Sequence, residues 1–345
     1  MNSVAESREQ DPPYEVAMSA TQDSYQERAA ASADAGVRMT RRLFLGAAAV
    51  VVAAIAVSAQ GDTAPGDAAR LLNGAIDIHV HHLPDDRARS IDAIDVAKLA
   101  QSRGMRAIVL KNHYESTAGL AWVVRKLVPG IEVFGGVDLN LTVGGINPDA
   151  VEHMTKVTGG FGRFVWMPTF DAENQVRLSK ENRRFVSVSK DGELLPAVKE
   201  VIALIAKHDL VLATGHSTPA EVLMLLREAQ RTGARRAVVT HATQTPVLMD
   251  IPQMQEAAKL GAFIEFVGGN PTGAAAASRL DAMADAIRKV GPQFVIVSSD
   301  LGQAGNPLPP DGFGAFLAAL RARGFSAAEV DRMAKQNPAT LLGLK

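Results

Sequence analysis

The residues Asp77-Ile78-His79-Val80-His81 close an apolar, β-branched run. In an extended strand successive side chains alternate, so His79 and His81 project from one side. Two imidazoles in that relation can bind one divalent ion. Four later segments also end a short apolar run on a polar, ligand-type residue. Ile108-Val109-Leu110 leads to Lys111 and His113, and Val211-Leu212-Ala213 leads to His216. Val238-Val239 leads to His241, and Val295-Ile296-Val297 leads to Asp300. The repetition turns a weak two-histidine signal into a candidate site.

The rest of the chain alternates strand-like and helix-like segments. Strands are expected at 75–81, 107–113, 132–140, 163–170, 209–216, 236–242, 262–267 and 294–300, each an apolar or β-branched run suited to burial on both faces. Helices between them have readable ends. Asn147-Pro148 opens one that Gly159 closes. Thr218-Pro219-Ala220-Glu221 is a capping box whose helix ends at Gly233, and Ser326-Ala327-Ala328-Glu329 starts the last helix. Residues 185–195, centred on Lys190-Asp191-Gly192, read as a β-hairpin inserted after strand four. Eight alternating units predict an α/β fold, a (β/α)8 TIM barrel over residues 71–345, with the ligand-type residues at the C-terminal ends of its strands. An open doubly wound sheet is disfavoured, because no Gly-x-Gly-x-x-Gly follows the first strand.

Composition narrows the chemistry. The chain has no cysteine, so disulfides and thiolate ligands are excluded and a metal must be held by His and carboxylate. A net charge of −1 over 345 residues, without a basic patch, argues against a nucleic-acid partner. Residues 1–38 are polar and Ala/Ser-rich, and read as a disordered leader or an over-extended start ahead of Met39. Thr40-Arg41-Arg42-Leu43-Phe44-Leu45-Gly46, followed by apolar residues to Val57, resembles a bacterial twin-arginine signal over 39–59, with cleavage after Ala59. Residues 60–70 read as a linker. The expected location is periplasmic or secreted, with the twin-arginine machinery as export partner; a membrane anchor at 44–58 is the alternative. The sequence neither requires nor excludes a homo-oligomer.

His79, His81, His216, His241 and Asp300, in that order on strands one, five, six and eight, resemble the ligand set of the amidohydrolase superfamily of metal-dependent hydrolases. The closing Asn337-Pro338-Ala339-Thr340-Leu341-Leu342-Gly343-Leu344 is similar to the way such chains end. The likeness points to an uncharacterised branch with Leu-Lys-x-His on strand two. It implies one or two divalent ions, most simply zinc, held by those five residues. A metal such as zinc lowers the pKa of bound water to about 7. Asp300 would accept the water's proton and pass it to the leaving group, and whichever of His216 and His241 is not tied to metal would polarise the substrate oxygen. Dinuclear members bridge their metals with a carboxylated Lys or a Glu on strand four, and residues 163–170 contain neither. Lys111 on strand two is read either as a carboxylated bridge or as an ammonium that binds a substrate carboxylate or polarises a carbonyl.

Other residues divide between site and scaffold. His113 is open among ligand, substrate contact and structural roles, and Glu265 is a candidate substrate contact on strand seven. Tyr114, Asn140 and Trp166 sit near strand ends, with Trp166 read as core. Gln303 is expected to orient groups around the metal. His82 points away from the pair, His153 lies on a helix surface, and His208 caps a helix. The expected activity is metal-assisted hydrolysis of an amide, lactam, lactone or other ester in a small-molecule substrate. Non-oxidative decarboxylation and a non-catalytic metal- or ligand-binding barrel are the alternatives.

Overall fold

The computed structural model describes residues 65–269 and 276–345. Among these, eight parallel strands form one sheet: β1 (Ile76–His81), β2 (Ala107–Lys111), β3 (Glu132–Asp138), β4 (Gly162–Trp166), β7 (Val211–Ala213), β8 (Arg236–Val239), β9 (Phe263–Val267) and β10 (Val295–Ser298), paired in that order. The sheet closes where Asp300 N–H donates to His79 O at 3.0 Å and His81 N–H donates to Leu301 O at 2.9 Å. Buried Asp77 adds a second staple there, its Oδ1 accepting from the backbone N–H of His79 and of Ser299, each at 3.1 Å. The result is the expected (β/α)8 barrel. Each predicted strand is present; β1 and β9 end where expected and the other six stop short at their C-terminal ends, the fifth being only Val211–Ala213. His216 therefore sits in a loop.

Helices cover the outside. The Thr218–Glu221 capping box starts the helix Pro219–Thr232, which ends at Gly233 in left-handed conformation. The Ser326–Glu329 box and the Asn147-Pro148 start are also formed. The predicted hairpin is β5 (Ser189–Lys190) with β6 (Glu193–Leu194). One boundary is corrected. The stretch 60–70, read as linker, gives way to a helix over Pro65–Leu72. The leader at 1–38 and the signal segment at 39–59 lie outside the described residues. Among the described residues, no helix is long and apolar enough to cross a membrane.

What positions the site is the two-residue alternation inside the barrel. Ala107, Val109, Phe134, Phe164, Trp166, Val211, Val238 and Ile296 pack together in the inner core, while Ile108, Leu110, Val133, Val165, Leu212 and Val297 pack outward against the helices. Continuing each inner series up its strand brings in Lys111, Asp138, Glu265 and Ser298. The barrel is thus apolar below and polar at its C-terminal rim. Leu341 and Leu342 join the inner core, and Asn337 Nδ2, from the same C-terminal segment, donates to Val295 O at 2.6 Å. On β1, Ile76 and Ile78 face the inner core, and the register slips between Asp77 and Val80. This bulge shifts the phase of the alternation, so Val80 packs outward and His79 and His81 turn inward.

Gly136 on β3 lies between Asp138 and the core. A Cβ there would meet the Trp166 ring at 2.5 Å and also strike Phe164 O. The backbone of β4 cannot yield without breaking its pairing. Gly136→Ala is expected to cost about 1–3 kcal/mol through overpacking, read as a lower denaturation midpoint; an unchanged midpoint would show that the inner layer is loose.

Candidate metal centre

β1 and the turn after β10 bring three donors together. His79 Nε2 and His81 Nε2 each lie 3.2 Å from Asp300 Oδ1, and the three donor atoms fall within 4.8 Å of one another. Two donors held about 2.0 Å from a common tetrahedral centre are about 3.3 Å apart. The spacing therefore fits one ion bound by all three. Buried His79 Nε2 has no hydrogen-bond partner, as expected of an atom whose partner is a cation. The donor set is imidazole and carboxylate, suited to zinc and to other divalent transition metals.

Glu265 fixes this arrangement from behind. Its Oε1 accepts from His79 Nδ1 at 3.1 Å and from Ser298 Oγ at 2.5 Å. Its Oε2 accepts from the His241 backbone N–H at 2.9 Å. With the proton on Nδ1, His79 keeps its lone pair on Nε2, the atom that faces Asp300. Both oxygens of Glu265 are thereby engaged, and the side chain is 3% exposed. It supports the site without lining the pocket, which corrects its reading as a substrate contact. His241 and Asp300 adopt left-handed backbone, with φ of 25° and 50°. Non-glycine residues hold such conformations where surrounding bonds over-determine them. Here the bonds are His241 N–H to Glu265 and Asp300 N–H to His79 O.

His216 and His241 form a second group beside the first. Their Nε2 atoms are 3.1 Å apart, too close for both to carry a proton on that atom. His216 Nδ1 donates to Gln175 Oε1 at 3.0 Å, which leaves the His216 lone pair on Nε2. Gly215 precedes it with φ of 61°, and a Cβ there would collide with the Met167 carbonyl. The predicted five-residue ligand set is thus brought to one rim, with His79, His81 and Asp300 in one cluster and His216 and His241 paired alongside.

Lys111 and His113 share a third group, built on Asp138. Lys111 Nζ lies 3.6 Å from Asp138 Oδ2 and 5.5 Å from the centre of the Trp166 ring. It is buried with no hydrogen-bond partner. His113 Nδ1 lies 2.8 Å from Thr169 Oγ1 and 3.3 Å from Asp138 Oδ2. The His113 ring stacks on His81, with centroids 4.9 Å apart. Asn140 is buried and binds His113 O and Thr169, so it braces this group from outside the pocket. Trp166 is core, stacked on Phe164.

Charge follows burial. Burial pushes His81 down to about 3 and His241 down to about 4, and holds His113 and His216 well below the usual imidazole value. These rings are neutral at pH 7, the form that binds a cation. Burial also opposes a charge on His79, but the Asp300 and Glu265 carboxylates outweigh it and raise this one ring. Burial favours the neutral acid at Glu265, yet His79 and Ser298 hold it down to about 2; Asp300 is held well below the carboxylate range in the same way. Asp138 goes the other way. Burial pushes it up to about 6, and Lys111 offsets this only in part.

These groups floor a pocket of about 560 Å³. Asp300 is its one carboxylate among the described residues, and Arg87, Arg89, Phe170, Gln175 and Gln303 complete much of the wall. Gln303 Nε2 donates to Asp300 O at 2.9 Å, so it orients the ligand's backbone. His82 is buried against Leu83 O, His153 is exposed, and His208 caps its helix and pairs with Glu152 at 2.8 Å. Asp138, Gln175, Arg87 and Arg89 are the positions around this site that the sequence reading missed. Asp138 obeys the same strand-end pattern and was findable; Arg87 and Arg89 lie in the loop after β1 and Gln175 in the short helix Glu173–Leu178, none with a periodic signal.

The model of a family of unknown function, DUF6282, matches residues 74–265, more than half of the chain. The chain belongs to that family. The DUF6282 match runs from β1 to Glu265, so it includes every rim group described above except Ser298, Asp300 and Gln303. No curated protein matches the chain in sequence. Solved structures do match in fold. An amidohydrolase from Pseudomonas aeruginosa is 13% identical with a TM-score of 0.58, covering 80% of this chain and 98% of its own. A zinc-bound amidohydrolase from Burkholderia multivorans is 14% identical with a TM-score of 0.55, covering 79% and 99%. A mutant PTE-like lactonase from Deinococcus radiodurans is 17% identical with a TM-score of 0.55, covering 80% and 97%. At these identities the likeness is one of fold: this DUF6282 chain is built on the barrel of the amidohydrolases.

Glu265→Gln keeps the shape of the support but weakens its hold on the His79 Nδ1 proton. It is expected to loosen divalent-ion binding about 10- to 100-fold, measured by chelator competition. Wild-type affinity in the variant would show that Glu265 does not set the ligand.

Proposed function

We propose that this chain is a metal-dependent hydrolase that turns water against the carbonyl carbon of a small-molecule amide, lactam, lactone or other ester. The observation that carries the reading is the trio of His79 Nε2, His81 Nε2 and Asp300 Oδ1 at ligand spacing on the pocket floor. When bound there, a divalent ion, zinc first, supplies Lewis acidity and an activated water.

The chain's own groups supply the rest. Asp300 is the pocket's carboxylate and is held ionised, so it is placed to take the attacking water's proton and return it to the leaving group. His216, fixed by Gln175, and His241, fixed by Glu265, are neutral rings that present Nε2 atoms toward each other. With the His216 lone pair on Nε2, the shared proton sits on His241 Nε2, so His241 is the ring placed to donate to a substrate oxygen and His216 the ring placed to bind a cation. Lys111, an ammonium beside Asp138, carries positive charge into the pocket and needs no modification to do so. That charge favours a carboxylate-bearing substrate, which also supports non-oxidative decarboxylation as a second reading.

The test is a substrate panel of lactones, aryl esters, amides and ring carboxylic acids, run with zinc- or manganese-supplemented protein. Hydrolysis gives a new acid and decarboxylation gives carbon dioxide. Asp300→Asn is expected to reduce turnover on the order of 100-fold or more. Turnover unchanged in Asp300→Asn contradicts the proposed proton path, and a metal-loaded protein that turns over no class contradicts the enzyme reading.

We propose also that the barrel is exported. The support is the Arg41-Arg42 pair ahead of an apolar run with small residues at Val57-Ser58-Ala59. Replacing both arginines by lysine is expected to leave the protein in the cytoplasmic fraction; unaltered export would contradict the twin-arginine route.

A further inference from the structure

The pocket wall holds a cation that none of the proposed metal or proton chemistry uses. Arg89 lies in the loop after β1, and its side chain is 3% exposed. Its Nε donates to Asp85 Oδ2 at 2.7 Å. Its Nη2 is buried with no hydrogen-bond partner, although the residue lines the same pocket as the metal ligands. A buried guanidinium N–H without an acceptor is costly. It is explained if the acceptor arrives with a ligand.

The loop around Arg89 is rigidly placed. Arg89 pairs antiparallel with Gln303, and Ser90 N–H donates to Gly302 O at 2.8 Å. Gln303 in turn holds the backbone of Asp300. Arg89 and the metal ligand are thus tied through one short run of hydrogen bonds, the kind of preorganisation that lowers the cost of binding. Arg87 stands beside it. Its guanidinium carbon is 4.3 Å from the centre of the Phe170 ring, and its Nε donates to Tyr114 OH at 2.9 Å. Phe170 packs on His113 at 3.9 Å between centroids, so Arg87 is anchored to the same rim.

We propose that Arg89, assisted by Arg87, is a carboxylate-recognition subsite, and that the substrate of this pocket is a small carboxylic acid whose anion docks on Arg89 while its reacting group faces the metal trio. The proposal deepens the hydrolase reading and rests on it for the second half of that statement. Arginine fits because its planar fork matches a carboxylate. Asp85 already neutralises part of the Arg89 charge, so the wall suits a monoanion better than a phosphate dianion.

The experiment is calorimetric titration of the purified, zinc-supplemented protein with succinate, with its neutral diamide succinamide, and with inorganic phosphate. Wild type is expected to bind succinate at least tenfold more tightly than succinamide and more tightly than phosphate. Arg89→Gln should weaken succinate tenfold or more with metal content unchanged. Because Arg89→Gln leaves Asp85 without its partner and is open to misfolding, exposed Arg87→Ala serves as the second variant, with a severalfold loss expected. Equal binding of succinate and succinamide, or succinate binding unaltered in both variants, overturns the subsite. Phosphate binding tighter than succinate overturns the carboxylate assignment. The His79→Ala/His81→Ala protein separates the two claims. It is expected to lose the metal and keep arginine-dependent succinate binding; a wild type that takes up no metal yet still binds succinate through Arg89 would sink the hydrolase reading and leave the subsite standing.

Discussion

The site depends on one buried carboxylate. Glu265 sits at the top of the barrel's apolar interior and gathers His79 Nδ1, Ser298 Oγ and the His241 backbone N–H onto its two oxygens. Those three groups come from three different strand ends. An ionised acid in such surroundings persists only if it is fully paired, and here the pairing sets the His79 tautomer. It also holds His241 in a backbone conformation that a non-glycine residue rarely keeps. Without Glu265 the His79 lone pair is not directed and the β8–β9 rim loses its tie.

The same logic of burial and pairing repeats around the rim. Asp77 joins β1 to β10 and completes the barrel beneath the metal trio. Asp138 partners Lys111 and His113, and Gln175 directs His216. The neutral histidines offer lone pairs, Asp300 offers a charge, and the arginine-bearing loop adds opposite charge at the wall. Polar atoms left without a hydrogen-bond partner, His79 Nε2, Lys111 Nζ and Arg89 Nη2, lie on residues that line one pocket. The buried apolar layer beneath them keeps these groups in place.

Much of this was legible in the sequence. Alternation placed His79 and His81 on one side, and strand-end position singled out His216, His241 and Asp300. The two-residue argument gave the right answer for β1 although a bulge, invisible in sequence, is what turns the histidines inward after Ile76 and Ile78. Asp138 continues the series Phe134, Gly136, Asp138 and escaped notice only because it is followed by more strand-like residues. Glu265 was noticed but given the wrong task, since its partners on β1 and β10 are set by barrel closure. Arg87 and Arg89 depend on how the loop after β1 folds back over the rim, and Gln175 on where the short helix Glu173–Leu178 docks, neither of which local patterns encode.

The measurement that bears most directly on the account is anomalous diffraction at the zinc edge from crystals grown with zinc. A peak about 2.0–2.2 Å from His79 Nε2, His81 Nε2 and an Asp300 oxygen is the predicted result. No peak in the pocket, or zinc bound only at surface groups, would contradict a metal centre built on these three residues.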